Sequence, residues 1–425
     1  MQPSQRPQLH ELKETSFKMP QEIKSEHGIP LYVYEGKVSD VCRVDIIFFS
    51  GAYNQLSPLT AQVASETMVD ASTKRSSREF SELIDFYGGW VKNLVSLHYT
   101  TFSLYSPNRS FKRLVSLFFE AITSPRFSKR DFNRYKRCGK ESLKVVQKRV
   151  ENISQRVFKE SLFGKHPYGA YATPEDYDNL QIDAVRKYVS ENMVAENCKV
   201  VFSGAIDEEM IKILNDQLYR IPSRKEFSPI KHQMESCDYR GLKFEEIKGA
   251  LQSAVVIGAR SINRDSENYI PLHILNCALG GYFGCRLNKN IREEKGYTYG
   301  INSWLIGLPD AAYLIIASQT ATRFTKPLIE EVKKEIDEIK SSLIPTEELH
   351  SLKNFLVGDY ARMFDTCFTL ADYFITLLTN RLDVNYYDTR LSVINSITPE
   401  KLLETAQNYL PSFEDMCISV AGKME

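Results

Sequence analysis

Residues 280–299, GGYFGCRLNKNIREEKGYTY, change character three times in a short span. Gly280-Gly281 reads as a turn. Leu287, Ile291 and Glu294 then recur at helical spacing, and Gly296 suits the left-handed position that ends a helix. Tyr297, Thr298 and Tyr299 begin a β-type run. The stretch predicts a short basic helix that hands over to a strand through one glycine. It leaves Arg292 near the helix end and Tyr299 just past the turn, where the fold can bring the two side chains near each other. Read locally, Arg292 satisfies helix C-terminal carbonyls and Tyr299 is a strand residue.

The chain around this stretch is too long, at 425 residues, for one ordinary core, so two or more domains are expected. Apolar content of 43% and charge of 25% are those of a soluble globular protein. A net charge of zero gives no reason to propose nucleic acid or a membrane surface as partner. No apolar run approaches the length of a membrane span. The opening MQPSQRPQLHELKETS has no apolar core region, so no signal peptide is expected. Eight cysteines without a CxxC pair fit buried thiols in a reducing compartment, and the cytoplasm is the expected location.

Residues 1–24 are polar and weakly patterned and read as an N-terminal arm. The runs 29–34 and 41–49 are strand-like, and Ser57-Pro58 is expected to open a helix. Ser76 to Glu79 forms a capping box for a second helix that should end at Gly88-Gly89. Residues 90–96 and 99–105 read as two strands, 111–122 as a helix, and Ser128 as the cap of a helix running to about Val150. Cys198 to Ser203 reads as a buried strand. The second half repeats this order. SPRFSKRDF at 124–132 matches SSLIPTEEL at 341–349, and FSG at 202–204 matches VAG at 420–422, at an offset of roughly 217 residues. The expected organisation is a first α+β unit over 25–220, a linker rich in proline and charge over 221–244, and a second α+β unit over 245–425. In each unit strands are followed by helices, which predicts an α+β fold of two homologous units. Each would be an antiparallel-rich sheet with helices packed on one face.

The segment GGYFGCRLNKNIREEKGYTYG resembles the C-terminal-half signature of the pitrilysin/insulinase-type zinc peptidases, metallopeptidase family 16, which include the processing peptidase of mitochondria and its non-catalytic sister subunit. The resemblance implies the α+β architecture twice over. It also implies that Arg292 and Tyr299 hold the backbone and reacting carbonyl of a peptide substrate. Active members carry His-x-x-Glu-His on a first-half helix, where two imidazoles at i and i+4 ligate zinc and the Glu activates water. Here the aligned residues are Val63-Ala64-Ser65-Glu66-Thr67, and only Glu66 survives, as a vestige. Glu141 lies close to the family's third ligand position. Val63 offers no lone pair and Thr67 is a poor ligand beside imidazole, so Val63, Thr67 and Glu141 read as degenerate metal positions with no bound metal or cofactor expected.

The reading this supports is a non-catalytic subunit of a peptidase of this type. It would bind peptide and supply Arg292 and Tyr299 to the zinc site of an active partner chain, in a heterodimer or with a second copy. The alternative is a peptide-binding or structural scaffold with no enzymatic partner. The run 90–96 is the expected peptide-pairing edge. A separate metal site at His273, Cys277 and Cys285 is outweighed by a core helix carrying a small thiol. On the Ser128 helix, Lys136, Lys140, Lys144 and Lys148 form one stripe. Lys140 or Lys144 is expected to pair with Glu66 and replace the charge of the missing metal.

Overall fold

The computed structural model describes residues 16–25, 27–36, 40–224, 227–234, 237 and 239–424. Most of the expected arm, residues 1–15, lies outside the described residues. The first half contains strands β1 (Gln21–Lys24), β2 (Pro30–Glu35), β3 (Val41–Phe48), β4 (Trp90–Val95), β5 (Thr100–Pro107) and β6 (Cys198–Gly204). Its helices are α1 (Thr60–Asp70), α2 (Ser77–Phe86), α3 (Phe111–Thr123), α4 (Lys129–Val146), α5 (Val150–Phe163), α6 (Pro174–Asn179), α7 (Ile182–Asn192) and α8 (Glu208–Leu218). The second half contains β7 (Gly241–Glu246), β8 (Gln252–Ser261), β9 (Thr298–Gly307), β10 (Ala312–Ala321) and β11 (Cys417–Gly422). Its helices are α9 (Tyr269–Asn276), α10 (Thr325–Ser341), α11 (Thr346–Ala361), α12 (Cys367–Asn380), α13 (Tyr386–Ser396) and α14 (Pro399–Tyr409). β7 begins at Gly241, inside the stretch read as linker.

The two sheets have the same topology. The first runs β1-β2-β6-β3-β5-β4 and the second β7-β11-β8-β10-β9, so each strand from β2 to β6 has a counterpart in the same place. In each sheet one pair is parallel, β2 with β6 and β7 with β11, and the other pairs are antiparallel. Gly204 and Gly422 close the equivalent strands at φ values of 132° and 136°, which a side chain would strain. The helices after the hairpins repeat as well. α3 buries Phe111, Leu114, Phe118 and Ile122; α10 buries Thr325, Leu328, Val332 and Ile336 at the same intervals. That spacing is one helix face, and each large apolar residue on it contributes about 1.5–3 kcal/mol by leaving water.

Each sheet carries its own unit's helices on one face. Val44, Ile46 and Phe48 of β3 meet α1 and α3 there, and Val255 and Ile257 of β8 meet α9 and α10. The other face is covered by a helix from the opposite unit. α5 crosses to the second sheet, where Phe158, Leu162 and Phe163 pack on Val256, Tyr313 and Ile315. Ser154 and Ser419 exchange hydrogen bonds across that contact, at 2.8 and 2.9 Å. α12 makes the reverse crossing, and Ala371, Phe374 and Leu377 pack on Tyr34, Ile47 and Val201. Arg43 of β3 secures it by pairing with Asp372 at 2.6 Å and Asp45 at 2.7 Å. α4 stops at Val146, four residues before its expected end, because the chain turns to launch α5 from Arg149.

Candidate functional site

The residues read as degenerate metal positions on the first-half helix, Val63 and Thr67, lie on α1. Ser57-Pro58 makes a turn rather than the first helical residues, and Leu59 takes φ 66° before the helix begins at Thr60. Val63 is 1% exposed and belongs to the first core. The Thr67 hydroxyl donates to the Val63 carbonyl at 2.7 Å, so its hydrogen bond is spent on its own helix. Glu66 accepts from the Gln62 amide at 2.7 Å. Glu141 is exposed on α4 and accepts from Lys144 at 2.7 Å; that hydrogen bond holds its carboxyl below the usual carboxylate range. Tyr177 of α6 packs on α4. It packs against Gly139, where an added Cβ would lie 2.5 Å from its hydroxyl, and burial together with the charge of Glu66 raises its pKa. Among the described residues no three His, Cys, Asp or Glu side chains are grouped to hold a metal ion. The donor set at α1 does not fit zinc.

The expected Lys–Glu66 pairing is corrected by this geometry. Lys140 pairs with Asp178 at 2.5 Å, Lys144 with Glu141, and Lys136 donates to the carbonyls of Asp178 and Leu180 at 2.9 Å. The periodicity located the stripe, but the carboxylates that meet it are Asp178 of α6 and Glu141 of α4 itself, not Glu66.

The Arg/Tyr end is built differently. The segment 288–294 is a widened, π-type turn of helix, and Gly296 ends it at φ 64° as its sequence predicts. Arg292 is exposed, and its guanidinium lies 5.0 Å from the centre of the Phe283 ring. That stacking orients an otherwise flexible fork. β9 is the outer strand of its sheet, and Tyr299 sits in a bulge there. Ser318 pairs with Ile301 and Thr320 with Thr298, so Tyr299 and Gly300 together face Gln319. The extra residue bends the strand. The Thr298 hydroxyl fixes the bulge by donating to the Gln319 carbonyl at 2.6 Å and accepting from the Gly300 amide at 3.1 Å. Tyr299 is 93% exposed as a result and lines a cleft of about 400 Å³ with Gln252, Gln319 and Glu151. The two side chains project from either side of the Gly296 turn, and no hydrogen bond links them among the described residues.

One cluster escaped the sequence reading. His98, His166 and His232 gather around Tyr53 and Tyr168 where the two units and the connecting segment meet. Tyr53 lies 4.5 Å from His98 and 4.7 Å from His232, centre to centre. The Tyr168 hydroxyl contacts His98 Nε2 at 2.8 Å and Asp310 Oδ2 at 3.1 Å. Burial pushes His98 down to about 4, with Asp310 opposing and Arg381 and His166 assisting. These residues share no local spacing, so nothing in the sequence groups them. His273, Cys277 and Cys285 are not grouped to hold a metal ion among the described residues. Burial, with Arg390 and Arg264, pushes His273 down to about 3, and burial raises Cys277 to about 11.

Two sheets of matched topology with crossed helices define a two-unit α+β fold of the peptidase type. The chain belongs to the insulinase peptidase family, M16: residues 61–172 match Insulinase (Peptidase family M16) and residues 179–356 match the Peptidase M16 inactive domain. It is 22% identical over 293 residues to the uncharacterized zinc protease YmxG of Bacillus subtilis, across 68% of this chain and 70% of that protein. It is 19% identical over 414 residues to the probable inactive metalloprotease YmfF of the same organism, across 91% and 95%. Among solved structures, a peptidase M16 inactive domain from Pseudomonas fluorescens matches with a TM-score of 0.85 at 18% identity, over 96% of this chain and 98% of that one. The periplasmic protease PqqL of Escherichia coli matches with a TM-score of 0.79 at 14% identity, over 98% of this chain but 47% of its own. No helix among the described residues is long and apolar enough to cross a membrane.

Proposed function

We propose that this chain is a non-catalytic subunit that binds an extended peptide and supplies Arg292 and Tyr299 to the zinc site of an active partner chain. The observation that carries the reading is the contrast between its two ends. Val63 is buried and Thr67 is bonded to its own helix, whereas Arg292 and Tyr299 are exposed and held by Phe283 and the β9 bulge. An exposed guanidinium can clamp two carbonyls of an extended peptide, and a tyrosine hydroxyl can donate to an oxyanion as it forms. The outer edge of β4 offers the peptide an unpaired row of backbone groups, with Trp90 and Leu94 exposed beside it. The likeness to PqqL supports a two-body enzyme, because that chain is about twice as long as the part matched here. The cytoplasmic setting rests on eight cysteines that are all unpaired.

The test is capture from native cells with a tagged chain. The expected result is co-purification with a chain that carries an intact His-x-x-Glu-His, and chelator-sensitive peptidase activity in the complex alone. One equivalent of zinc and chelator-sensitive cleavage in the pure chain overturn the proposal. A complex that contains no such partner favours the scaffold reading.

A further inference from the structure

α4 carries two cationic faces, and only one is neutralised. On the lysine face, Lys136, Lys140 and Lys144 all meet carbonyls or carboxylates, as described above. The other face bears Arg130, Arg134 and Arg137 at helical spacing. These three line a concave pocket of about 830 Å³ with Arg126 before the helix and Arg78 on α2. Five arginines therefore face one aspartate, Asp131, among the lining residues. Arg78 is paired with Glu82 at 2.7 Å and Arg134 with Asp70 at 3.2 Å. Among the described residues Arg126, Arg130 and Arg137 make no ion pair. The chain as a whole has no net charge, so this concentration of one sign is local. Several unpaired arginines at the surface repel one another, and that repulsion is relieved by a bound anion. The remaining polar lining is uncharged, the hydroxyls of Ser76, Ser77, Ser81 and Ser128 and the amide of Asn133. Both helix starts are already capped by their own side chains, so the argument rests on the arginines.

We infer that this pocket docks an extended acidic segment of a partner polypeptide, at a site separate from Arg292 and Tyr299. The geometry selects among anions. Arg130 and Arg137 are seven residues apart, which is about 10 Å along a helix and more than a single phosphate spans. Carboxylates on every second residue of an extended segment repeat about every 7 Å and can reach both ends of the row. An arginine fork takes a carboxylate through two parallel hydrogen bonds. The lining contains no aromatic ring for base stacking, which disfavours single-stranded nucleic acid. It also contains no apolar side chain to enter a bilayer.

Fluorescence anisotropy with a labelled hexaglutamate peptide and the full chain tests this. The wild type should bind saturably at low salt and release the peptide as salt rises. Arg130→Glu with Arg137→Glu should weaken binding at least tenfold, while Lys140→Glu with Lys144→Glu on the neutralised face should change it by less than about twofold. Arg126→Gln with Arg130→Gln, both exposed, provides a milder second variant if charge reversal disturbs folding. No saturable binding by the wild type, or equal losses on both faces, overturns the site. Inorganic triphosphate or an oligonucleotide of matched charge competing tenfold better than the peptide overturns the acidic segment as its occupant.

Discussion

Val63 and Thr67, the positions read as degenerate metal ligands, are each taken up by the fold: Val63 is packed in the first core and the Thr67 hydroxyl is bonded to its own helix. Neither side chain brings an unpaired charge into the core. Their reading as degenerate ligands rests on residue type at fixed i, i+4 spacing, which is a local feature of the sequence. The surroundings of Glu66 were not legible. Gln62 donates to it, and its charge acts on Tyr177, which arrives from a distant helix. The same limit hid His98. Its ring is buried among groups from both units and its pKa falls to about 4, below the ordinary 6.5 of histidine. A depressed folded-state value means the unfolded chain binds the proton first. The stability contributed by neutral His98 is therefore complete above about pH 6.5 and is lost as pH falls toward 4. Partial exposure and solvent screening limit the effect to about 1–2 kcal/mol. Denaturant melts at pH 7 and 4.5 should show a larger acid loss in the wild type than in His98→Asn. Equal losses in the two proteins contradict this assignment.

Helix α4 and helix α5 differ in what their sequences could reveal. The capping residue and the cationic stripe of α4 were readable, since both are local patterns. The partner of Lys140 was not, because Asp178 follows it by 38 residues. Lys144 is exposed on α4, so Lys144→Ala should change stability by no more than about 0.5 kcal/mol in a denaturant titration. α5 shows an apolar face in its sequence, but amphipathicity cannot say which sheet that face covers. The structure sends it to the other unit, where Phe158 is fully buried against Val256 and Tyr313. Phe158→Ala should cost about 3–5 kcal/mol, the range for removing a large aromatic from a packed core. A loss under about 1 kcal/mol would mean that the crossing helix is dispensable to the second sheet.

At the scale of the molecule, the duplication is carried by matched strand order, matched parallel pairs and the paired glycines at Gly204 and Gly422. The α+β class and the repeat were legible because strand patterns, turns and offsets survive in sequence. The crossing of α5 and α12 was not, since it depends on long-range packing that no local period records. That crossing ties the two units together through buried contacts. The exposed Arg292 and Tyr299 therefore sit on a braced frame, at a turn and a bulge that can meet another chain.

The proposed role in trans is tested most directly by kcat/KM for peptide cleavage, measured on the active partner reconstituted with wild-type, Arg292→Ala or Tyr299→Phe chain. Both residues are exposed, so thermal melts of the variants should match the wild type. The account predicts a loss of about 10²–10³ in kcat/KM for each variant, the usual cost of deleting a donor to a developing oxyanion or a positioning clamp. An unchanged kcat/KM for both variants, with the complex still assembled, contradicts it.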